Sequence, residues 1–553
     1  MGSVSDQALV DISVVCLSVG VPASDKPIVI GLYGISGSGK SFVMNHLKKT
    51  LPPQYYNFYE GSEMIASLVP GGLEAFQALD EQQKTSWRAR AIKKIKKKAL
   101  RSDKISIVTG HFMFWSEVET AGQTVYTPSD LYVFTHIIYL MTPAEHIFQY
   151  RLDDKLRDRP LASVEHLHKW QEAEVDGLRH LCPQHGIFHV LTDPVSMCNK
   201  TRAAVKRFLH TSIMYDEENK LTLFNYFLDE VDNRQLEAAL VLDADRTLAP
   251  MDAGVLFWQN IDRIPSRSTS TCPLKELFGG PLGYTDKAFH QANLLYEEAA
   301  DDDDEFDALC ETPASSVVMY PEIVSLLRAA AEHKHVFSVV VTCGIRRVWE
   351  KVLEKEGLSS TVKVLGGGRI SDGFVVLPAT KADIVAQLRD VWKLYTWVFG
   401  DSPLDILMLR VADEAIVVVG EEQIRSSSMD AVLAKALEGG QFNARQALLP
   451  GHVSHRLDQT KLPLVRLDDS DFFESVLRKR FEVLDATEKC AAKLLMSPMR
   501  DASVAGPALR AAHHALMRSF GISLVALRLS ENKFTGTKST DTGNRLFSTT
   551  HLP

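Results

Sequence analysis

Short apolar runs separated by helical patterns fill two long stretches of the chain, residues 26 to about 210 and 236 to about 440. In the first stretch they predict strands at Ile28–Leu32, Tyr55–Tyr59, Ile105–Thr109 and Ile137–Leu140. In the second they predict strands at Ala239–Leu242, Phe337–Val341, Trp397–Phe399 and Ala415–Val419. Strands that are apolar throughout and alternate with helices are typical of parallel sheets with helices on both faces. The pattern therefore predicts a multidomain α/β protein.

Length, charge and cysteine usage narrow the class of protein. A chain of 553 residues is too long for one core, and about three domains are expected. The net charge of −9 gives no electrostatic reason to expect nucleic acid or an anionic membrane as a partner. Seven scattered cysteines without a CxxC pair indicate free thiols and argue against a zinc site. Without a cationic leader or a run of about 18 apolar residues, the chain is expected to be cytoplasmic.

The residues that join the first predicted strand to the first helix form the most informative motif. Residues 34–41 read GISGSGKS, which is GxxxxGK[ST] in the strand–loop–helix context that a P-loop requires. Glycines let the backbone curl so that its N–H groups and the helix N-terminus point at phosphate oxygens. The lysine adds a cation, and the serine hydroxyl can bind Mg²⁺. The predicted nucleotide-binding residues are Gly34, Gly37, Ser38, Gly39, Lys40 and Ser41. A Gly/Ser turn without a ligand is the alternative.

A second group of chemically active residues follows the strands of the later stretch. Asp243 and Asp245 come directly after the strand Ala239–Leu242, so both carboxylates can reach one site above the carboxyl edge of the sheet. One can attack phosphorus, and the other can transfer a proton. Four further residues follow in order along the chain. Thr342 provides a hydroxyl at a strand end and Lys381 a cation that opens a helix. Asp401 and Asp405 provide two carboxylates after a strand. Such groups can hold a phosphoryl group and Mg²⁺.

This ordered set resembles the haloacid dehalogenase superfamily of phosphohydrolases over roughly residues 236–425, and its phosphoserine-phosphatase-like branch most closely. The resemblance implies a Rossmann-like sheet in which Asp243 is the nucleophile and Asp245 the general acid/base. Thr342 and Lys381 would hold the phosphoryl group, and a helical cap over about 250–330 would select the substrate. The implied Mg²⁺ ligands are Asp243, Asp245, Asp401 and Asp405. A turn-rich α/β domain with incidental acids is the alternative.

The first domain resembles nucleotide and small-metabolite kinases of the adenylate-kinase-like type. Glu60 follows a predicted strand where such kinases often place a carboxylate near the acceptor. The strand Ile105–Thr109 takes the place of a Walker B strand but is not followed by Asp, which leaves Mg²⁺ to Ser41 and water or to another acid. Residues 151–159, RLDDKLRDR, resemble the arginine-bearing lid of these kinases, and a helix with paired surface charges is the alternative. The lid candidates are Arg151, Arg157 and Arg159.

The last residues resemble the C-terminus of uracil phosphoribosyltransferases, where a Gly-containing segment cradles the base. The matching positions are Asp541, Gly543, Asn544 and Arg545. The loop that would hold the phosphoribosyl donor is absent from 485–553, so the segment is not expected to transfer phosphoribosyl groups. It is a relic, the product of an altered transcript, or an added segment that packs on the phosphatase domain. The three-part combination resembles a multidomain arrangement found in fungi, where a role in pyrimidine or nucleotide metabolism is natural.

The sequence thus predicts a lead-in (1–25), a P-loop domain (26–212), a phosphohydrolase domain (230–440), a connecting segment (441–484) and a truncated phosphoribosyltransferase-like segment (485–553). The leading hypothesis is a Mg²⁺-dependent phosphohydrolase that acts on a small phosphorylated metabolite through an aspartyl-phosphate. It is fused to a kinase-like domain that binds ATP or GTP, and neither nucleic acid nor a membrane is expected as a partner. The alternatives are uracil phosphoribosyl transfer, with the donor loop missing, and a non-catalytic nucleotide sensor.

Overall fold

The chain divides into two compact units, Met1–Arg478 and Lys479–Pro553, and every element given below belongs to the first. The computed structural model describes residues 26–102, 104–154, 161–192, 197–213, 235–261, 272–373, 375–438, 442–479, 507–508 and 511. The predicted lead-in lies outside these ranges. So do the base-binding candidates Asp541, Gly543, Asn544 and Arg545, and the lid candidates Arg157 and Arg159.

Seven strands lie in the N-terminal lobe: β1 (Val29–Tyr33), β2 (Tyr56–Glu60), β3 (Ile105–Thr109), β4 (Met113–Phe114), β5 (Gln123–Thr124), β6 (His136–Leu140) and β7 (Phe188–Thr192). Five of them form a parallel sheet in the order β2-β3-β1-β6-β7, while β4 and β5 pair as a small antiparallel ribbon. The helices of this lobe are α1 (Lys40–Thr50), α2 (Gly61–Ala66), α3 (Gly72–Gln77), α4 (Glu81–Ser102), α5 (Pro128–Val133), α6 (Ala144–Asp153), α7 (Val164–Gln184) and α8 (Met197–Ile213).

The second lobe is built on a six-stranded parallel sheet: β8 (Ala238–Leu242), β9 (Val336–Ile345), β10 (Val362–Gly367), β11 (Tyr395–Gly400), β12 (Glu414–Val419) and β13 (Ala444–Leu448). Its order is β10-β9-β8-β11-β12-β13. Its helices are α9 (Ala253–Gln259), α10 (Pro273–Gly279), α11 (Asp286–Ala299), α12 (Asp303–Ser316), α13 (Pro321–Ala331), α14 (Arg346–Lys355), α15 (Pro378–Ala386), α16 (Ile406–Val411), α17 (Ser428–Glu438) and α18 (Ser470–Leu477). Helices α9–α13 fill the connection from β8 to β9, where the cap was expected.

Alternating apolar side chains explain why both sheets are covered on two faces. In β1, Val29 and Tyr33 join one buried cluster, whereas Ile30 and Leu32 join another on the opposite face. Strand β8 divides its residues between two clusters in the same way. A strand that buries both faces needs apolar residues at every position. The predicted α/β fold with two parallel sheets is confirmed.

Three local predictions need correction. Residues 444–448 form β13 in the second sheet, so they are not part of a connecting segment. Thr342 lies inside β9, which continues to Ile345 because its last residues still pair with β10. Lys381 does not open its helix, because α15 begins at Pro378, whose fixed φ and missing N–H suit the first turn.

Helix α11 of the second lobe contacts the sheet of the first lobe. The Gln291 side chain accepts a hydrogen bond from His189 N (3.0 Å) and donates one to His189 O (2.7 Å), and Glu298 accepts from Leu191 N (2.9 Å). Both backbone partners belong to β7, the outermost strand of the first sheet. Because an edge strand has unpaired backbone groups on one side, these side chains take the place of a further strand. The cap region of the second lobe therefore covers the sheet edge of the first.

Among the described residues, no helix combines the length and the apolar character that crossing a membrane requires.

Candidate functional site

The carboxyl edge of the second sheet brings together residues that are distant in the chain. Asp243 follows β8, which lies between β9 and β11. Thr342 therefore arrives from one neighbouring strand, and Asp401 follows the other. The parallel order alone places all three at one edge.

A buried lysine joins the carboxylates of this edge. Lys381 Nζ donates to Asp243 Oδ1 and to Asp405 Oδ1, the latter at 2.8 Å. Burial acts to lower the pKa of Lys381, but the two carboxylates outweigh it and raise that pKa well above its usual value. The lysine is therefore a permanent cation in the site.

Asp405 fixes the loop that carries Asp401. Its second oxygen, Oδ2, accepts from Asp401 N (3.1 Å), Ser402 N (3.0 Å) and Ser402 Oγ (2.9 Å). Since its first oxygen contacts Lys381, Asp405 sets the position of both the cation and the loop. This contact set makes Asp405 a positioning group.

Asp243 and Asp401 are two buried acids that share one hydroxyl. Thr247 Oγ1 lies 3.5 Å from Asp243 Oδ2 and 3.4 Å from Asp401 Oδ1. Burial, followed by the charge of Asp405, raises the pKa of Asp243 to about 6 against the opposing effect of Lys381. The same causes raise the pKa of Asp401 well above its usual range. Negative charge is crowded here, as at a site built for a cation.

The donor set fits a divalent metal ion. One oxygen from each of Asp243, Asp401 and Asp405 lies within 4.8 Å of the others. Asp401 Oδ2 is buried and has no hydrogen-bond partner among the described residues. Hard cations such as Mg²⁺ prefer carboxylate oxygens. These three acids could hold such an ion, while Asp245, also predicted as a ligand, makes different contacts.

Asp245 and Thr342 meet at Gly344. Asp245 Oδ1 accepts from Ala253 N (2.6 Å), the first residue of α9, and Thr342 Oγ1 accepts from Gly344 N (2.9 Å). A Cβ at Gly344 would lie 2.7 Å from Asp245 Oδ2 and 3.2 Å from Thr342 Oγ1, so only glycine fits. Next to Asp245, Arg246 adopts φ 62°, a strained value for a residue with a side chain. The backbone is therefore strained at Arg246, next to the carboxylate of Asp245.

The P-loop lies between β1 and α1, as its motif predicts. Gly37 and Gly39 have φ of 95° and 87°, which only glycine adopts easily. Lys40 Nζ donates to the carbonyl oxygens of Gly34 and Ile35, the latter at 3.0 Å. Ser38 is buried, and its carbonyl accepts from Thr142 Oγ1 (2.8 Å). The loop is therefore curled around its own lysine.

Arg151 supports the P-loop backbone, which differs from the expected lid position. Its Nε and Nη2 donate to Ser36 O at 3.0 and 2.7 Å, and its guanidinium lies 5.5 Å from the centre of the Trp170 ring. The side chain is buried because it continues the inward face of α6. A lid arginine would instead approach the transferred phosphate from outside.

Two acids lie near the place where the Walker B acid is missing. Strand β3 pairs with β1, and Thr109 at its end donates to Glu60 Oε2 (2.6 Å). Glu174 of α7 accepts from Met113 N (3.0 Å) and from Tyr139 Oη (2.9 Å). Burial raises the pKa of Glu174 to about 7, while the charge of Lys40 acts to lower it.

Glu174 was missed by the sequence analysis, although a signal existed. Leu167, Trp170 and Leu178 form a buried stripe on α7, and Glu174 occupies the position where that stripe should continue with an apolar residue. An acid on an apolar stripe is either hydrogen-bonded in the core or functional.

Comparisons with known proteins support both lobes. Residues 240–410 match the family model of haloacid dehalogenase-like hydrolase, and residues 33–168 match that of the AAA domain. No curated protein matches the chain significantly. The chain therefore carries a haloacid dehalogenase-like hydrolase domain and a P-loop domain.

Three solved structures are similar to part of the chain. One is a phosphoserine phosphatase in apo form, with 13% identity over 39% of this chain and 95% of that chain and a TM-score of 0.25. A second is a protein of unknown function from Bordetella pertussis Tohama I, with 18% identity over 38% and 98% and a TM-score of 0.28. A third is a haloacid dehalogenase-like hydrolase from Streptococcus pneumoniae, with 14% identity over 33% and 85% and a TM-score of 0.22.

Proposed function

We propose that the second lobe hydrolyses a phosphomonoester of a small metabolite through an aspartyl-phosphate on Asp243. The carrying observation is that Lys381 is buried between Asp243 and Asp405, with Asp243 at the carboxyl edge of the sheet. A carboxylate so placed is a nucleophile with a fixed cation beside it.

The reaction balances with the residues at this edge. An oxygen of Asp243 forms a bond to phosphorus as the P–O bond of the ester breaks, and Asp245 gives its proton to the leaving oxygen. Water then attacks phosphorus, Asp245 takes a proton from it, and the bond to Asp243 breaks to release phosphate. Lys381 and Thr342 hold the phosphoryl oxygens. Mg²⁺, held by Asp243 and Asp401, would neutralise phosphoryl charge when bound.

A small substrate is favoured by the helices above the site. Asp243 is only 6% exposed, and α9 begins at Ala253, which contacts Asp245 directly. A polymer could not reach such a nucleophile without displacing these helices. The substrate class is therefore a small phosphorylated metabolite.

The P-loop lobe is proposed to bind ATP or GTP with Mg²⁺ on Ser41, in a kinase-like role. The glycine conformations and the inward position of Lys40 support this. A cytoplasmic location agrees with the free thiols of Cys182, Cys198, Cys310 and Cys343. A place in pyrimidine or nucleotide metabolism depends on the resemblance of the C-terminal residues alone.

The test is phosphate release from a panel of phosphorylated metabolites with Mg²⁺, comparing wild type, Asp243→Asn and the control Asp468→Asn. The amide cannot attack phosphorus, so Asp243→Asn is expected to lose at least about 10³-fold in turnover with an unchanged circular dichroism spectrum. Asp468 pairs with Arg466 on an exposed surface, and its replacement should change nothing.

Wild-type turnover in Asp243→Asn would exclude Asp243 as the nucleophile. If the wild-type protein releases no phosphate from any compound of the panel but still binds nucleotide, the non-catalytic nucleotide sensor becomes the better hypothesis.

A further inference from the structure

Two loops beside Asp401 contain buried polar groups that the proposed reaction does not use. In the sheet, β11 is followed by β12 and then by β13. The loops that leave β12 and β13 therefore open at the same carboxyl edge as Asp401, on the side away from β8. They carry Arg425 and Arg456.

Arg456 is a buried cation, and two of its three nitrogens are unpaired among the described residues. Its side chain is 0% exposed, and Nη1 donates to Ser426 O and Asp430 Oδ1, both at 2.7 Å. Nε and Nη2 are buried and have no hydrogen-bond partner among the described residues. Leaving donors of a charged group unpaired in the interior is costly unless a ligand or water binds them.

Arg425 presents a second incompletely paired guanidinium close to the first. Its Nη2 donates to Ser454 O (3.2 Å) and Ser454 Oγ (2.9 Å), while its buried Nε has no partner in the part of the chain that the structure describes. The two cations are electrostatic neighbours, because the charge of Arg425 acts to lower the pKa of Arg456. Their acid partners, Asp430 and Glu422, are 48% and 75% exposed and so are largely screened by water.

Tyr320 adds a neutral donor on the side of the catalytic edge. Its hydroxyl is buried and unpaired within the described ranges, and a Cβ built on Gly420 would lie 3.3 Å from it. Burial and then the charge of Asp401 raise the pKa of Tyr320 to about 12, so the hydroxyl keeps its proton. The charge of Asp401 also acts on Arg456. Tyr320 and Arg456 therefore both lie within electrostatic reach of Asp401.

We propose that Arg456, Arg425 and the Tyr320 hydroxyl form a subsite for a second anionic group, a carboxylate or phosphate, on the phosphomonoester that Asp243 cleaves. Guanidinium N–H groups in a planar fork match the oxygens of such an anion, and burial strengthens the contact. This inference depends on the proposed function, since it assigns the substrate to phosphomonoesters with a further negative charge.

Turnover of matched substrates tests the subsite. The pairs are 3-phosphoglycerate with glycerol 3-phosphate, and fructose 1,6-bisphosphate with fructose 6-phosphate. In at least one pair, wild type is expected to prefer the more anionic member by at least about tenfold in kcat/KM. In Arg456→Met and in Arg425→Met the ratio should fall to about one.

The control Arg445→Met removes an arginine that pairs with Glu414 at the opposite end of β13, and the wild-type preference should persist. If Arg456→Met does not fold, Arg425→Met, which lies on a more exposed loop, provides the same test of substrate preference. A wild-type ratio near one in both pairs, or a preference that survives both variants, would mean that the arginines only fasten their loops and would overturn the subsite.

Calorimetric binding in the Asp243→Asn background separates the two proposals. The preferred compound should bind this variant at least tenfold more tightly than its less anionic match, and Arg456→Met added to it should abolish the difference. Equal affinities would overturn the subsite even if turnover is observed. Absence of phosphate release from all four compounds and from the wider panel would refute the proposed function, while the binding ratio would still decide on the subsite.

Discussion

The two candidate sites of this chain hold their charges in different ways. In the P-loop lobe, the cation Lys40 contacts backbone carbonyls of its own motif and lies only six positions after Gly34. In the phosphatase lobe, Lys381 contacts Asp243, 138 residues earlier, and Asp405, 24 residues later. One site is a local conformation, whereas the other exists only when the sheet is complete.

This difference predicts whether the loss of a lysine lowers ligand affinity or the free energy of unfolding. The carbonyls around Lys40 are neutral and can turn to water, so removing the lysine should affect ligand binding more than folding. The carboxylates around Lys381 are buried acids, and removing the lysine leaves them uncompensated.

The largest effect is expected for Lys381→Met. It removes the cation that holds the phosphoryl group and leaves Asp243 and Asp405 buried without a counter-ion, so activity should be lost. The free energy of unfolding should fall by about 3–5 kcal/mol, as measured by urea denaturation.

Lys351→Met is the matched control. Lys351 also bridges two carboxylates, Asp307 (2.8 Å) and Glu311 (2.6 Å), but these acids are 48% and 62% exposed. Its loss should cost less than about 1 kcal/mol. Equal costs for the two variants would show that burial does not distinguish the two lysines.

A smaller effect, confined to one lobe, is expected for Lys40→Ala. It should raise the Kd of a nucleoside triphosphate by about 10–100-fold, or about 1.4–2.8 kcal/mol, in a calorimetric titration. Phosphatase turnover and stability should stay unchanged. The control Lys48→Ala, on an exposed turn of the same helix, should leave nucleotide affinity, turnover and stability unchanged. Loss of both activities in Lys40→Ala would show instead that the two sites are coupled.

A pH-dependent effect on stability alone is expected for the buried acid of the P-loop lobe. Burial raises the pKa of Glu174 from 4.5 to about 7, so its contribution to stability is complete below about pH 4.5 and is lost as the pH rises through about 7. Glu174→Gln has no proton to lose. Relative to this variant, wild type should lose roughly 3 kcal/mol of stability between pH 4.5 and pH 8.

Unfolding measured across this pH range gives the difference directly. Glu172→Gln, on the exposed face of the same helix, should follow the wild-type curve. A constant difference between wild type and Glu174→Gln would mean that Glu174 stays ionised in the fold.

The sequence was sufficient for the fold class because strand-forming runs and the P-loop are local patterns. The run Ile105–Thr109 matches β3 residue for residue, and the P-loop glycines adopt the turns that their motif implies. Asp243, Lys381 and Asp405 were also predicted, and the fold brings them into one ion network. Their order along the chain was enough, because parallel strands present their ends at one edge.

The missed features depend on contacts between distant segments. The backbone of His189 in strand β7 pairs with the side chain of Gln291, which is 102 residues away in the other lobe. Glu174 and Arg456 occupy positions whose partners cannot be read from their neighbours in sequence. Glu174 differs from a surface charge only by its place on the apolar stripe of α7, and no local pattern distinguishes Arg456 from an ordinary surface charge.

Helix α11 has a consequence for the history of the chain. Gln291 and Glu298 form hydrogen bonds with backbone groups of β7. If the second lobe were lost, the P-loop sheet would therefore expose a strand edge with unpaired backbone groups. A gene fission between the two lobes would therefore release one protein prone to aggregate, and selection would act against it. The two lobes are therefore expected to stay on one chain, even if their chemistries are independent.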